Sequence, residues 1–494
     1  MNILLIYPEF PDTFWSFKHA LKFIRKKASS PPLGLLTVAA MLPEQWNKRL
    51  VDMNVTTLRQ KDLDWADMVW ISAMVVQRQS TQQVIERCAQ NQKTIIAGGP
   101  LFTAEADQFS QVDHLILNEA ELTLPPFLAD LAAGNPKRVY SNANFADIRQ
   151  TPTPMWNLID MRKYDSMSIQ FTRGCPFNCE FCNVTSLFGH QVRTKTTNQI
   201  LAELDMIYSL GWRRNIFFVD DNFIGNRRLL KEEILPALIK WRKDKTGCRF
   251  LTEASINLAD DEELMDLMVE AGFVSVFIGI ETPDEDSLTE CHKMQNKNRN
   301  LVESVHRLQR KGIQVMGGFI VGFDSDTPTI FQRQIEFIQN SGIITAMVGL
   351  LQAPNGTRLY QRMKDEGRLR EEMTGDNTDG TSNIVPVMDD HILQEGYRQI
   401  LSTIYSPKMF YQRIRTFLRE YSLPQVEIPM ELSEIGAFLR SIWLLGILGQ
   451  ERREYWRLFF WTLFHNPKKV PLAITFSIYG YHFRKVSQLQ GLNV

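Results

Sequence analysis

The chain has 494 residues, 44% of them hydrophobic, which is apolar material enough for two or three domains with cores of their own. Its 55 Lys and Arg stand against 56 Asp and Glu, a formal net charge of −1, so composition gives no footing for a nucleic-acid partner held through its phosphates. Of the six cysteines, the three crowded together cannot pair evenly among themselves into a disulfide framework, and the opening Met1–Tyr7 has no basic lead, which predicts a cytoplasmic protein with free thiols and no secretory signal.

The run Ile3–Tyr7 is short, apolar and closed by Pro8, as a buried parallel strand is. Further strand-like runs at Leu50–Asp52, Met68–Ser72, Thr94–Ala97 and His114–Leu117 are separated by stretches long enough for helices, among them Leu33–Leu42 and Thr81–Asn91. This alternation predicts an α/β unit, a Rossmann-like, doubly wound parallel sheet over residues 1–135. Ligands of such sheets lie outside the carboxyl ends of the strands, where the sequence puts Asp52, Ser72, Gly98, Gly99, Pro100, Asn118, Glu119 and Glu121. His114 sits inside an apolar run and reads as a core residue. Residues 136–164, with Pro152, Pro154 and the polar Ser141–Asn144, read as an ordered linker.

Cys175, Cys179 and Cys182 follow, in a C-x3-C-x2-C loop between Phe171 and Asn183. Three thiolates on one short loop make a soft pocket suited to iron and sulfide, or to zinc. Cys88, Cys248 and Cys291 are solitary and distant in sequence, so no fourth cysteine closes the set. A three-cysteine iron–sulfur cluster leaves one iron open to a small molecule. A zinc knuckle completed by His190 is the competing reading, and it leaves the pattern downstream without a role.

After the loop, Thr197 opens a helix whose apolar positions Ile200, Leu201, Leu204, Ile207 and Tyr208 share a face, with Gly211 to end it. Strand-like runs at 215–219, 249–254, 274–280, 314–321 and 344–351 alternate with helices near 229–243, 260–272 (Asp260 and Glu263 as a capping pair), 298–312 and 327–342. With Ser168–Thr172 they make six β/α units, a partial (β/α)6 barrel of TIM type over residues 165–380. Asp220, Asp221 and Asn222 end the second strand, Glu253 and Ser255 the third, Glu281 the fourth, and Gly318, Ile320 and Gly322 the fifth. Each alone is ordinary as a helix cap or a turn; their joint placement behind the cysteine loop is what points to a site.

The cysteine spacing, Phe181 just before the last cysteine and the β-like run ahead of the loop resemble the radical S-adenosylmethionine (SAM) superfamily. The resemblance implies that Cys175, Cys179 and Cys182 ligate a [4Fe-4S] cluster whose open iron is chelated by the amino and carboxylate groups of SAM. It gives Asp220, Asp221 and Asn222 the place of the motif that holds the SAM amino group, although the family's glycines are absent. Glu253 and Ser255 stand where the family binds ribose hydroxyls or the SAM carboxylate. Gly318, Ile320 and Gly322 resemble its adenine-contacting motif, with Phe181 beside the same base and Glu281 nearby. The N-terminal run, with Leu33 and Gly34 in Pro31–Leu35, then Asp52, Ser72, Gly98–Pro100, Asn118, Glu119 and Glu121, resembles the cobalamin-binding domain that precedes many radical SAM enzymes. The Asp-x-His-x-x-Gly motif of that fold is missing, since the first strand leads into Pro8–Phe14, so cobalamin would bind here without that axial histidine.

Beyond residue 380 the pattern turns helical to the C-terminus (381–494). Ile435–Leu448 is apolar but interrupted by Arg440 and shorter than the ~20 residues a bilayer span needs. Glu454–Phe464, then Lys468, Lys469 and an aromatic run to Tyr481, suit a helix lying on a membrane, a lid over an apolar substrate, or ordinary packing against the barrel. Domain order, the stretch Thr151–Asp160 and this extension look most like the branch containing the hopanoid methylases. The resemblance therefore implies a cobalamin-dependent radical SAM C-methyltransferase: a 5′-deoxyadenosyl radical removes hydrogen from an unactivated carbon of an apolar, lipid-like substrate, and methylcobalamin supplies the methyl group. A reductant such as flavodoxin or ferredoxin, no nucleic acid, and peripheral contact with the inner face of the membrane through the C-terminal helices complete the expectation. The rivals are a radical SAM cyclase or oxidoreductase without methyl transfer, and a non-enzymatic cobalamin or iron–sulfur sensor.

Overall fold

Two parallel sheets of six strands each, described by a computed structural model over residues 1–370, 373–423 and 432–491, account for the alternating pattern. In the first, β1 (Asn2–Tyr7), β2 (Asn47–Asp52), β3 (Met68–Ser72), β4 (Thr94–Gly98), β5 (His114–Ile116) and β6 (Val139–Tyr140) pair in the order β2-β1-β3-β4-β5-β6. Ile3, Leu4, Leu5 and Ile6 are all fully buried, because helices cover both faces of the sheet; only the end residues Asn2 and Tyr7 are partly exposed. The stretch expected as linker contributes β6, which continues the sheet beside β5 through Leu115 and Ile116.

The second sheet contains β7 (Ser166–Ile169), and a two-residue antiparallel ladder of β8 (Thr172–Arg173) with β9 (Arg193–Thr194) follows it. Then come β10 (Asn215–Phe218), β11 (Arg249–Glu253), β12 (Phe273–Glu281), β13 (Gln314–Val321) and β14 (Ala346–Leu350). The order β14-β13-β12-β11-β10-β7 is strictly sequential, as repeated right-handed β/α units give. Two caps differ from the sequence reading. The helix Thr197–Ser209 is capped by Thr196, with Gln199 completing the capping box, and Glu262–Ala271 is capped by Asp261, whose side chain accepts from Leu264 N–H. In both, the cap is the residue just outside the first helical turn, the one from which a short side chain reaches the N3 amide.

Period-two burial sorts the residues of this sheet. Ile216, Phe218, Phe250, Val276, Ile278, Val315, Phe319 and Val348 point to the helices and are buried to 1% exposure or less. On the opposite, inward face stand Phe217, Leu251, Phe277, Met316 and Met347, all half-buried and joined across the ladders by the pairs Phe217–Leu251 and Phe277–Met316. The inward face of the barrel is thus apolar and partly open to solvent.

Five helices close the chain: Asp390–Ile404, Pro407–Glu420, Leu432–Ser441, Arg452–His465 and Val470–Leu489. The last returns to the N-terminal segment, where Phe483 stacks on Phe14 at 4.4 Å and His482 Nε2 is bonded to the Phe14 carbonyl at 2.9 Å. With Phe14 so anchored, Trp15 reaches the inward face, edge-on to Phe277 at 5.3 Å with its N–H 2.9 Å from Met347 Sδ.

Candidate active site

The carboxyl ends of the two sheets face each other. Loops after β3, β4 and β5 meet the mouth of the barrel through Arg78 donating to the Met373 carbonyl, Asn355 donating to the Ala104 carbonyl, and Arg173 paired with Glu119 and Glu121. The cysteine loop lies at this junction. Its base is clamped by the β8–β9 ladder, and Asp220 Oδ1 accepts from the amides of both Phe171 and Thr172.

The three thiols are mutual electrostatic neighbours. Burial pushes Cys182 up to about 12 and raises Cys175, while the amides of Val184 and Phe177 point at the two sulfurs and favour their thiolates. Gln295 Nε2 lies 3.8 Å from Cys179 Sγ, and Lys293 adds a buried ammonium beside the set. N–H donors and a positive charge around clustered sulfurs are what a thiolate-ligated iron–sulfur centre draws on. The zinc-knuckle reading gains nothing: His190 is exposed, and among the described residues no three His, Cys, Asp or Glu side chains converge on one ion's position.

Around the barrel mouth the predicted residues divide into two kinds. Asp221 and Glu253 are half-buried, and Asp221 is close enough to bear on Cys175. Burial pushes Asp221 up to about 6 and Glu253 to about 8, with the charges of Asp221 and Asp220 adding to the effect on Glu253 and Arg173 easing it on Asp221. Asp220 is fully buried and pushed up to about 7; one oxygen braces the cysteine loop and the other has no partner. Asn222 Oδ1 accepts from the Ser255 amide at 3.2 Å, so these two hold each other beside a cleft of about 510 Å³ that Pro176 and Phe177 of the cysteine loop also line. Glu281 has φ 66°, a left-handed value that a side-chain-bearing residue adopts at a cost of ~1–3 kcal/mol, next to a break in the β12–β13 register. That turn brings its carboxylate 2.7 Å from Lys293 Nζ over Gly279, where any Cβ would meet Glu281 Oε1 at 2.2 Å. Gly318 and Ile320 lie along β13, and the Gly322 amide donates to Asp326 Oδ2 at 2.8 Å. Phe181 packs with Phe323, Ile320 and Cys291.

Asp52, Glu119 and Glu121, expected at the cofactor edge, already have partners within the protein. Asp52 is 2% exposed and accepts from the Tyr164 hydroxyl at 2.8 Å; Glu119 and Glu121 are bound by Arg173, and Glu119 by Arg193 as well. A buried carboxylate needs a cation or hydrogen-bond donors, which Arg173 and Arg193 give the two glutamates and Tyr164 and Asn54 give Asp52, so all three hold the N-terminal sheet to the segments that follow it. Leu33, Gly34, Ser72, Gly98, Gly99, Pro100 and Asn118 stay partly open at the strand ends. Gly99, at φ 94°, brings bare backbone so near Ser72 that a Cβ would lie 2.6 Å from its Oγ, so glycine here lets the loop after β4 pack tightly on the end of β3. Lys293, Gln295 and Asp326 were not legible in the sequence, since they follow short, irregular turns and carry no periodic or motif signal.

Residues 169–338 match the radical SAM superfamily, residues 25–128 a B12 binding domain, and residues 357–491 a domain of unknown function. An uncharacterized methyltransferase of Synechocystis is 40% identical over 99% of this chain and 92% of its own. The hopanoid C-2 methylase of Rhodopseudomonas palustris is 33% identical over 92% of this chain and 88% of its own. The chain belongs to the B12-binding radical SAM methyltransferases. The fold agrees: the structure of the radical SAM methyltransferase TsrM from Kitasatospora setae, with cobalamin and a [4Fe-4S] cluster bound, superposes with a TM-score of 0.61 over 99% of both chains at 14% identity. The cofactors of this methyltransferase are accordingly a [4Fe-4S] cluster, SAM and cobalamin, and like other radical SAM enzymes it acts on a small-molecule substrate with an electron donor. Among the described residues no helix is long and apolar enough to cross a membrane.

Proposed function

We propose that this methyltransferase acts on an unactivated carbon of an apolar, polycyclic or lipid-like molecule, hopanoids being the class named by its relative from Rhodopseudomonas. The observation that carries the reading is the apolar, partly exposed inward face of Phe217, Leu251, Phe277, Met316 and Met347 with Trp15 laid against it, on the sheet whose strand ends carry the acidic residues. An apolar acceptor gains ~25 cal/mol per Å² on covering such a face, and water is kept from the reacting carbon. In this reading residues 1–135 form the cobalamin unit, 165–380 the catalytic barrel and 381–494 a helical cover.

When bound, the cluster and SAM supply an electron and a 5′-deoxyadenosyl radical, and cobalamin supplies the methyl group. The chain's own residues hold these parts in line. Cys175, Cys179 and Cys182 ligate the cluster, with Lys293 and Gln295 beside their sulfurs. Asp221 and Glu253 would accept from the SAM amino group, Asn222 and Ser255 would meet its hydroxyls, and Phe181 with Gly318, Ile320 and Gly322 the base. Asp220 braces the loop that carries the cysteines. Leu33, Gly34, Ser72, Gly98–Pro100 and Asn118 cradle the corrin. Flavodoxin or ferredoxin fits the electron donor, and a lipid substrate puts the work at a membrane surface. Incubation of the anaerobically reconstituted enzyme with SAM, cobalamin, reductant and bacterial lipid extract should yield a methylated lipid by mass spectrometry. A product that is only oxidised or cyclised, with no added methyl, overturns it.

A further inference from the structure

The apolar surface that the fold leaves uncovered is concentrated at one place. Of the large apolar residues that are exposed, Ile435, Leu439, Trp443, Ile447, Leu448, Phe460, Leu463 and Phe464 all fall within thirty positions of the C-terminal region, and Leu439, Trp443, Leu448 and Phe464 are 57–80% exposed. On the helix Leu432–Ser441 and its continuation Ile442–Ile447, the positions 435, 439, 443 and 447 recur every four residues and form one outward stripe. On Arg452–His465, Trp456, Phe460 and Phe464 do the same, their rings stacked at 5.8 and 6.4 Å. The Trp456 indole N–H donates to the Gly446 carbonyl at 2.9 Å, which fastens the stripes side by side.

We infer that this face docks on an anionic lipid bilayer. A stripe turned to solvent is the reverse of what a helix packed on a barrel shows, and its charge surroundings select the occupant. Residues 432–491 carry eight Lys and Arg against three Glu and no Asp, in a chain whose net charge is −1. Arg453 and Arg457, the latter also paired with Glu454 at 2.6 Å, are exposed on the helix of Phe460 and Phe464, and exposed Lys468 lies in the turn that follows it, basic at each end and aromatic in the middle. Exposed Arg419 reaches over the Trp461 ring at 5.5 Å. Aromatic and aliphatic side chains entering the acyl boundary while Arg and Lys meet lipid phosphates is the arrangement of an interfacial helix pair. Among the described residues no helix is long and apolar enough to span, and the docking proposed is reversible binding at the surface. The inference does not depend on what is methylated.

The test is flotation of the full chain with vesicles of phosphatidylcholine alone or mixed with phosphatidylglycerol. Wild type should float with the anionic vesicles at low salt and be released as salt rises. Trp443→Ser/Phe464→Ser should weaken binding at least tenfold, with the melting temperature unchanged because both side chains are exposed. Arg453→Glu/Arg457→Glu should abolish the preference for anionic lipid. Failure of the wild type to float on anionic vesicles overturns the inference. So does a stable dimer in solution that Trp443→Ser/Phe464→Ser turns into monomer, since a second copy of the chain would then be what covers the face.

Discussion

Lys293 Nζ lies 2.7 Å from Glu281 Oε1, and after Glu281 the strongest charge it senses is Cys179. Burial works against its ammonium, but Glu281 and the thiols prevail and hold it above the usual lysine value. A fixed positive charge beside an iron–sulfur centre favours the added electron. Lys293→Met should therefore lower the reduction potential of the reconstituted cluster by on the order of 100 mV, and Lys293→Arg should restore most of it. Potentiometric titration followed by electron paramagnetic resonance reads this directly. An unchanged potential in a folded variant would confine Lys293 to neutralising Glu281.

Cys175→Ala, Cys179→Ala and Cys182→Ala should each abolish formation of 5′-deoxyadenosine and reduce iron content. The fold should survive, because all three side chains sit in a partly exposed loop held from its base by the β8–β9 ladder and Asp220 rather than by the thiols. Thermal melting of the variants within a few degrees of wild type checks the second point. Cleavage of SAM persisting in all three refutes the cluster assignment.

The parts of this fold that sequence could reveal are those written in periodic patterns. Ile3–Tyr7 and Gln314–Val321 announce buried parallel strands, and Cys175, Cys179 and Cys182 announce a centre by spacing alone. Residue type at a strand end is weaker information, because it says what a side chain can do and not whom it meets. Asp52, Glu119 and Glu121 were legible as carboxylates at the correct edge, yet their partners Tyr164, Arg173 and Arg193 come from up to 112 positions away. Lys293 is one of 55 basic residues, and it meets Glu281 through left-handed backbone at Glu281 and at its own neighbour His292, which no residue pattern announces. The inward face was invisible for a different reason: its half-buried Phe217 and Phe277 alternate with fully buried neighbours, and hydrophobicity alone cannot separate the two faces.

Arg173 joins the sheets at the point where the cysteine loop begins. Its guanidinium is 12% exposed and meets Glu121 at 2.8 Å and Glu119 at 3.0 Å. Burial alone would raise Glu121, but Arg173 overrides it and holds the carboxyl at about 2. Arg173→Met should cost about 2–4 kcal/mol at pH 7, since Glu121 is left buried without its cation while Arg193 still serves Glu119. A depressed carboxyl stabilises above its unfolded value near 4.5, and the contribution is lost as pH falls toward 2. Urea denaturation should accordingly show the gap between wild type and variant closing from pH 5 to pH 3; a constant gap would assign the loss to packing.

Asp221 and Glu253, raised to about 6 and about 8, give the barrel mouth the opposite pH dependence. A carboxyl held above its unfolded value stabilises the fold below that value, and the contribution is lost as pH rises through the folded one. The cofactor-free protein should lose stability between about pH 4 and pH 8, and Glu253→Gln should recover roughly 1–2 kcal/mol at pH 8 by removing one buried charge. A cation arriving between the two carboxyls reverses their preference and drives protons off. Binding of SAM near pH 7 should therefore release roughly one proton, seen by calorimetry in two buffers of different ionisation enthalpy. Glu253→Gln should remove most of that release, since the carboxyl raised to about 8 holds nearly all of the bound proton at pH 7, and weaken binding. A release unaffected by Glu253→Gln would mean that the ammonium is held elsewhere, and that these carboxyls only shape the mouth.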